Sequence, residues 1–197
     1  AAGIPGRFRD DVAPGDSGDA FMFVDDSVFG FRGGKPGGAA RDRNLLLTLG
    51  FDVYGQPATT TAAQLRAEGI DLASVHADSW KGTAVWVVGA AAGDTTSNQF
   101  WVEQQRLLFV RLIQQTPRPG KADVRLDAEF DEYQPLAGGW IALNVVVRAA
   151  GQVIQEENYR SPRANETLEP SLGNRTPHPR PPWIRSPHHS LARSNAP

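Results

Sequence analysis

A mainly β, α+β fold is predicted for this chain: a curved antiparallel sheet, or incomplete β-barrel, with short helices covering its open side. Three observations predict it. Short runs rich in Val, Phe and Trp recur along residues 19–160, separated by turn-forming residues. Residues 123–131 alternate cleanly, with Val124, Leu126, Ala128 and Phe130 on one face and Arg125, Asp127, Glu129 and Asp131 on the other. Between them, residues 42–69 switch to helical spacing. A sheet with one wet face must cover the other, and that helical stretch is the candidate cover.

The elements follow in order. Residues 19–24 and 27–32 are two aromatic-rich strands with Asp25-Asp26 between them, which is hairpin spacing; Asp tolerates the left-handed conformation such a turn needs. Gly33-Gly-Lys-Pro-Gly-Gly38 reads as a flexible loop, and it lacks the Gly-Lys-Ser/Thr ending of a phosphate-binding loop. Leu45, Leu46 and Leu49, followed by Gly50, predict a short helix over 42–49. A second is predicted over 62–68, with Thr61 and Gln64 as a capping box and Gly69 as the stop. Such short helices are stable only when their apolar face is covered.

From residue 81 strands return at close spacing: 83–89, 98–103, 106–114, 123–131, 140–148 and a polar last strand at 152–160. In 106–114 the alternation sets Leu108, Val110 and Leu112 against Leu107, Phe109 and Ile113. In 140–148 it groups Ile141, Leu143, Val145 and Val147. Short strands joined by tight turns make an antiparallel meander, not a parallel sheet.

Charge and composition remove several classes. The net charge of −2 over 197 residues joins unlike parts: residues 1–172 hold 16 Lys plus Arg against 22 Asp plus Glu, while 173–197 hold four Arg and no acid. So acidic a body lacks the electrostatic footprint of a nucleic-acid binder. No apolar run approaches the length of a membrane-spanning helix. The absence of Cys removes disulfides, thiolate nucleophiles and Cys-based metal sites. Residues 173–197, rich in Pro, Arg and His and without periodicity, read as a disordered tail. Two further readings of the tail stand beside that one. It is a polyproline-type ligand around Pro177–Trp183, or an out-of-frame translation of GC-rich coding sequence starting near Gly173.

Several motifs then line up. Gly50-Phe-Asp-Val-Tyr54, Leu65-Arg-Ala-Glu-Gly69, His76-Ala-Asp-Ser-Trp-Lys-Gly82, Val85-Trp-Val-Val-Gly-Ala-Ala-Ala-Gly-Asp-Thr-Thr-Ser97, Gln99-Phe-Trp-Val-Glu-Gln-Gln-Arg-Leu-Leu-Phe-Val-Arg111 and Phe130-Asp-Glu-Tyr-Gln-Pro-Leu-Ala-Gly-Gly-Trp140 come in succession. Together they resemble the outer-membrane lipoprotein-sorting-protein-like family of bacteria, related in fold to the carriers LolA and LolB and to the periplasmic regulator RseB. The resemblance spans roughly residues 7–172. It implies one half-barrel domain over 1–172 that lacks part of its N-terminal region. It also implies a periplasmic or cell-envelope location, no enzymatic activity and no cofactor. The implied activity is non-covalent uptake of lipid or lipoprotein acyl chains in an apolar half-barrel cavity, in contact with a membrane-associated partner protein. On that reading Phe21, Phe23, Phe29, Phe31, Trp86, Phe100 and Phe109 are the candidate cavity-lining residues. The alternative is a regulatory or sensory module of the same fold that binds a partner protein.

Other constellations are weaker. His76 has no second His or Cys near it in sequence to share a metal, and it reads as a loop or core histidine. Ser79, Ser97, His76 and Asp78 can be written as a hydrolase triad, but no Gly-x-Ser-x-Gly elbow is present. Asp94-Thr-Thr-Ser97 reads as a turn between two strands.

Overall fold

The computed structural model describes residues 2–3, 5–12, 17–118 and 120–167; the expectations for 173–197 lie outside them. The described residues fall into two compact units that meet in sequence at Arg43 and Asn44.

The first unit is a five-stranded antiparallel sheet in sequential order: β1 (Ala2–Gly3), β2 (Arg7–Asp11), β3 (Ala20–Val24), β4 (Ser27–Arg32) and β5 (Lys35–Arg41). The predicted β3–β4 hairpin is present, with Val24 opposite Ser27 and Asp25 at φ +52°. The Gly-rich stretch after it is not a loop. Gly33 and Gly34 make the turn, and β5 then pairs along β4. β5 is fully exposed and apolar-poor, so no alternation announces it. As an edge strand it also tolerates Pro36. Ala20, Met22 and Phe31 form the unit's buried cluster, with Val24 and Phe29 against it.

The second unit begins with α1 (Leu45–Gly50), a 3₁₀ turn at Asp52–Tyr54 and α2 (Ala58–Ala67). The Asn44 side chain caps α1 by accepting from the Leu46 N–H. α2 starts earlier than predicted, and the Thr61–Gln64 capping box does not form. Both side chains instead take hydrogen bonds from the Gln56 amide, to Thr61 Oγ1 at 2.9 Å and Gln64 Oε1 at 2.8 Å. The predicted stop holds: Gly69 sits at φ +77°, its N–H reaches the Arg66 carbonyl, and the Ile70 N–H reaches the Leu65 carbonyl. Ile70 and Leu65 are both buried, which completes a Schellman ending.

Seven strands follow: β6 (Val75–Trp80), β7 (Thr83–Val88), β8 (Gln99–Glu103), β9 (Phe109–Arg118), β10 (Lys121–Asp131), then, after a small hairpin of β11 (Gln134–Leu136) and β12 (Gly139–Ile141), β13 (Asn144–Ala149) and β14 (Gln152–Asn158). The sheet order is β14-β13-β10-β9-β8-β7-β6, antiparallel throughout, an open sheet with β14 and β6 at its edges. The strand predicted over 140–148 is therefore two pieces, and Ala142 is buried between them. β6 carries no strand signal in its Ala, Asp and Ser; its pairing to β7 across the Lys81–Gly82 turn makes it a strand.

Both helices bury their apolar side on one face of this sheet. Leu45, Leu49, Leu65 and Ile70 pack with Phe109, Leu112, Ala128, Phe130, Val145 and Val147. The helical cover expected from sequence is thus in place within this unit.

Candidate functional site

The helices cover only part of that face. Cross-strand partners share a face, so the registers define two rows across four strands. One runs Val75, Val88, Phe100, Leu112, and the other runs Ala77, Trp86, Val102, Phe109. Every member is apolar. Leu112 and Phe109 are sealed in the core; Phe100, Val88 and Val102 are half-buried; Val75 is 52% exposed and Trp86 41%. An apolar surface therefore runs from beneath the helices to the β6 edge, losing cover step by step. An exposed apolar patch of this kind marks an interaction surface.

The sequence candidates divide accordingly. Trp86 and Phe100 are neighbours on this open strip. Phe109 is on the same face but packs against Phe130 at 4.8 Å between ring centroids, as part of the filled core. The four candidate phenylalanines of the first unit lie on opposite faces of its sheet. Phe29 and Phe31 pair with Met22 and Ala20 and pack there. Phe21, 47% exposed, and Phe23 look the other way, with Phe23 against Phe8 at 6.3 Å.

No family model matches the chain, and neither does any curated protein or solved structure.

The opposite face of the seven-stranded sheet is not the simple wet surface that alternation suggests. A bulge opposite Trp101 and Val102 inserts one extra residue into β9. It breaks the expected alternation, so Phe109 and Leu112 reach the same core while Val110 packs with Trp80, Trp101, Val85 and Val87. Arg111 is thereby set against two indoles that meet edge to face, 4.1 Å from the Trp80 ring centre and 4.7 Å from that of Trp101. Three acids of β10 are engaged: Asp127 with Arg111 and Arg125, Glu129 with Arg148 and Lys81, and Asp131 with Lys81. The hydrogen bonds from Lys81 hold Asp131 below the ordinary carboxylate range, and those same acids raise the ammonium of Lys81. These groups neutralise one another, which is the arrangement of a rigid support and leaves the apolar strip as the open surface.

The triad reading finds no support in the geometry. His76 Nδ1 bonds the Ala90 carbonyl at 3.0 Å, Asp78 accepts from the Ser79 N–H, and Ser97 Oγ donates to Asp94 at 2.6 Å. Asp94 also accepts from the Thr96 and Ser97 N–H groups and the Thr96 hydroxyl, which makes 94–97 the predicted turn. Those bonds, the Ser97 hydroxyl foremost, hold its carboxyl far below the usual range. Among the described residues no group of three or more His, Cys, Asp or Glu is placed to hold a metal ion. No helix among them is long and apolar enough to cross a membrane.

Proposed function

We propose that the second unit binds acyl chains of lipid or lipoprotein without covalent chemistry, on the apolar strip that leads from the helix-covered core to the β6 edge. The resemblance to the outer-membrane lipoprotein-sorting-protein-like family, with its periplasmic or envelope location, points to the same ligand. The observation that carries the reading is the pair of uninterrupted apolar rows that end on β6 at Val75 and Ala77, with Val75 and Trp86 exposed. A chain laid across Trp86 and Phe100 removes methylenes from water at roughly 0.8 kcal/mol each. About ten covered methylenes supply roughly 8 kcal/mol, the free energy of micromolar binding, and each further methylene offsets part of the cost of association.

The test is displacement of a fluorescent fatty acid from the full chain. Saturable uptake, displaced by phospholipid and weakened about tenfold or more by Trp86→Asp, is the expected result. No uptake, or uptake indifferent to Trp86→Asp with the fold intact by circular dichroism, overturns the reading.

A further inference from the structure

The two edges of the seven-stranded sheet are treated differently. β14 is guarded: a bulge shifts its register against β13, and Glu156 and Glu157 sit on it. β6 has no bulge, no Pro and no Lys between Val75 and Trp80. Exposed edges are normally blunted by such devices, so β6, whose one acid is Asp78, is the less guarded edge and a pairing surface.

The geometry points to a second copy of this chain as its occupant, paired strand to strand, β6 on β6, across a two-fold axis perpendicular to the sheet. The two-residue turn at Lys81–Gly82 makes Trp80 and Thr83 a hydrogen-bonded pair, and the Ser74 carbonyl accepts from Gly89. The even-numbered residues of β6 therefore point their main-chain groups at β7. Those of Val75, Ala77 and Ser79 point outward. A two-fold axis keeps each residue on its own face, so the strand must pair about a residue and not between two.

Charge selects which residue. Centred on Asp78, the pairing sets that carboxylate against its own copy, and like charges directly opposite are destabilising. Centred on Ala77, each His76 lies opposite Asp78 of the other copy, twice over by symmetry, and Val75 pairs with Ser79. The Ser79 N–H, now held by the Asp78 carboxylate at 2.7 Å, passes to the facing carbonyl and frees that carboxylate for His76. On the other face the apolar strips of the two copies become one, running from Trp86 and Ala77 of one copy to Ala77 and Trp86 of the other. This inference stands on the edge and its charges and does not depend on acyl-chain binding.

Sedimentation of the full chain tests it first, with a dimer expected. Ala77→Cys then places two sulfurs on the axis, where a hydrogen-bonded antiparallel pair has Cα atoms about 5.5 Å apart, within disulfide reach. The natural chain has no Cys, so any covalent dimer reports this contact alone. Oxidation should link Ala77→Cys and leave Glu156→Cys, on the other edge, unlinked. Asp78→Lys should weaken the dimer by about tenfold. A monomer at all concentrations overturns the proposal. So does a dimer linked through Glu156→Cys, or one that Asp78→Lys leaves as tight as before.

Discussion

Arg111 grips Asp127 with two parallel bonds, Nε to Oδ1 at 2.8 Å and a terminal nitrogen to Oδ2 at 2.6 Å. The side chains are only 12% and 17% exposed, and the guanidinium lies against the rings of both Trp80 and Trp101. Burial, a planar fork and aromatic stacking together suit Arg and no other cation.

Arg111→Lys should therefore not behave as a conservative change. It keeps the charge but loses the second bond and the stacked plane. The expected loss is about 2 kcal/mol in urea denaturation. A cycle with Asp127→Asn should show strong coupling between the two positions. A loss of under about 0.5 kcal/mol would mean the pair contributes no more than a surface bridge.

Acid should unfold the chain through the same group. Burial alone would raise the Asp127 carboxyl, but the hydrogen bonds and charges of Arg111 and Arg125 outweigh it and hold the group low. Glu103 is also held low. Its burial is outweighed by the Arg106 side chain and the Gln105 and Arg106 N–H groups. A carboxyl depressed in the folded state contributes stability above its unfolded value, about 4, and loses it as pH falls through the folded value. Melting temperature should hold level from about pH 5 to about pH 9 and drop below about pH 4. Asp127→Asn should start lower at neutral pH and show a shallower acid decline; an unchanged acid slope would refute the assignment.

The elements legible in the sequence were those whose period matched their burial. β7, β8 and β10 show their faces in plain alternation, and α1 shows its Leu spacing. β5 and β6 are edge strands with little to bury on either face, so pairing alone makes them strands. β9 hid its true faces because a bulge changes parity midway, and nothing in Phe-Val-Arg-Leu announces where the extra residue goes. The open strip was half legible for the same reason. Trp86 and Phe100 stood out as large aromatics, whereas Val75, Ala77, Val88 and Val102 join them only through register.

Gly89→Ala should be among the most damaging small changes. Gly89 has φ +108°, and a Cβ there would lie 2.4 Å from the Asn98 carbonyl oxygen and 3.0 Å from both Gln99 Cα and Ile70 Cγ2. Neither backbone neighbour can yield, because Gln99 is fully buried and bonded to the Asp94 and Ser97 carbonyls. Strain and overpacking together should cost about 2–4 kcal/mol in chemical denaturation. A measured loss below about 1 kcal/mol would show that this turn relaxes.

Leu107 offers the opposite case. It has φ +57°, a region unfavourable to a branched side chain, and it is 67% exposed, so no burial offsets the strain. The turn it closes is held by other groups. Glu103, nearly buried, accepts from the Gln105 and Arg106 N–H groups and from Arg106 Nε, and the Leu107 N–H returns to the Glu103 carbonyl. Asn tolerates the left-handed conformation without the entropy that Gly loses on folding. Leu107→Asn should therefore stabilise the chain by about 0.5–1 kcal/mol, read as a higher denaturation midpoint at unchanged m-value. If the variant is less stable, Leu107 contributes a contact that outweighs its strain.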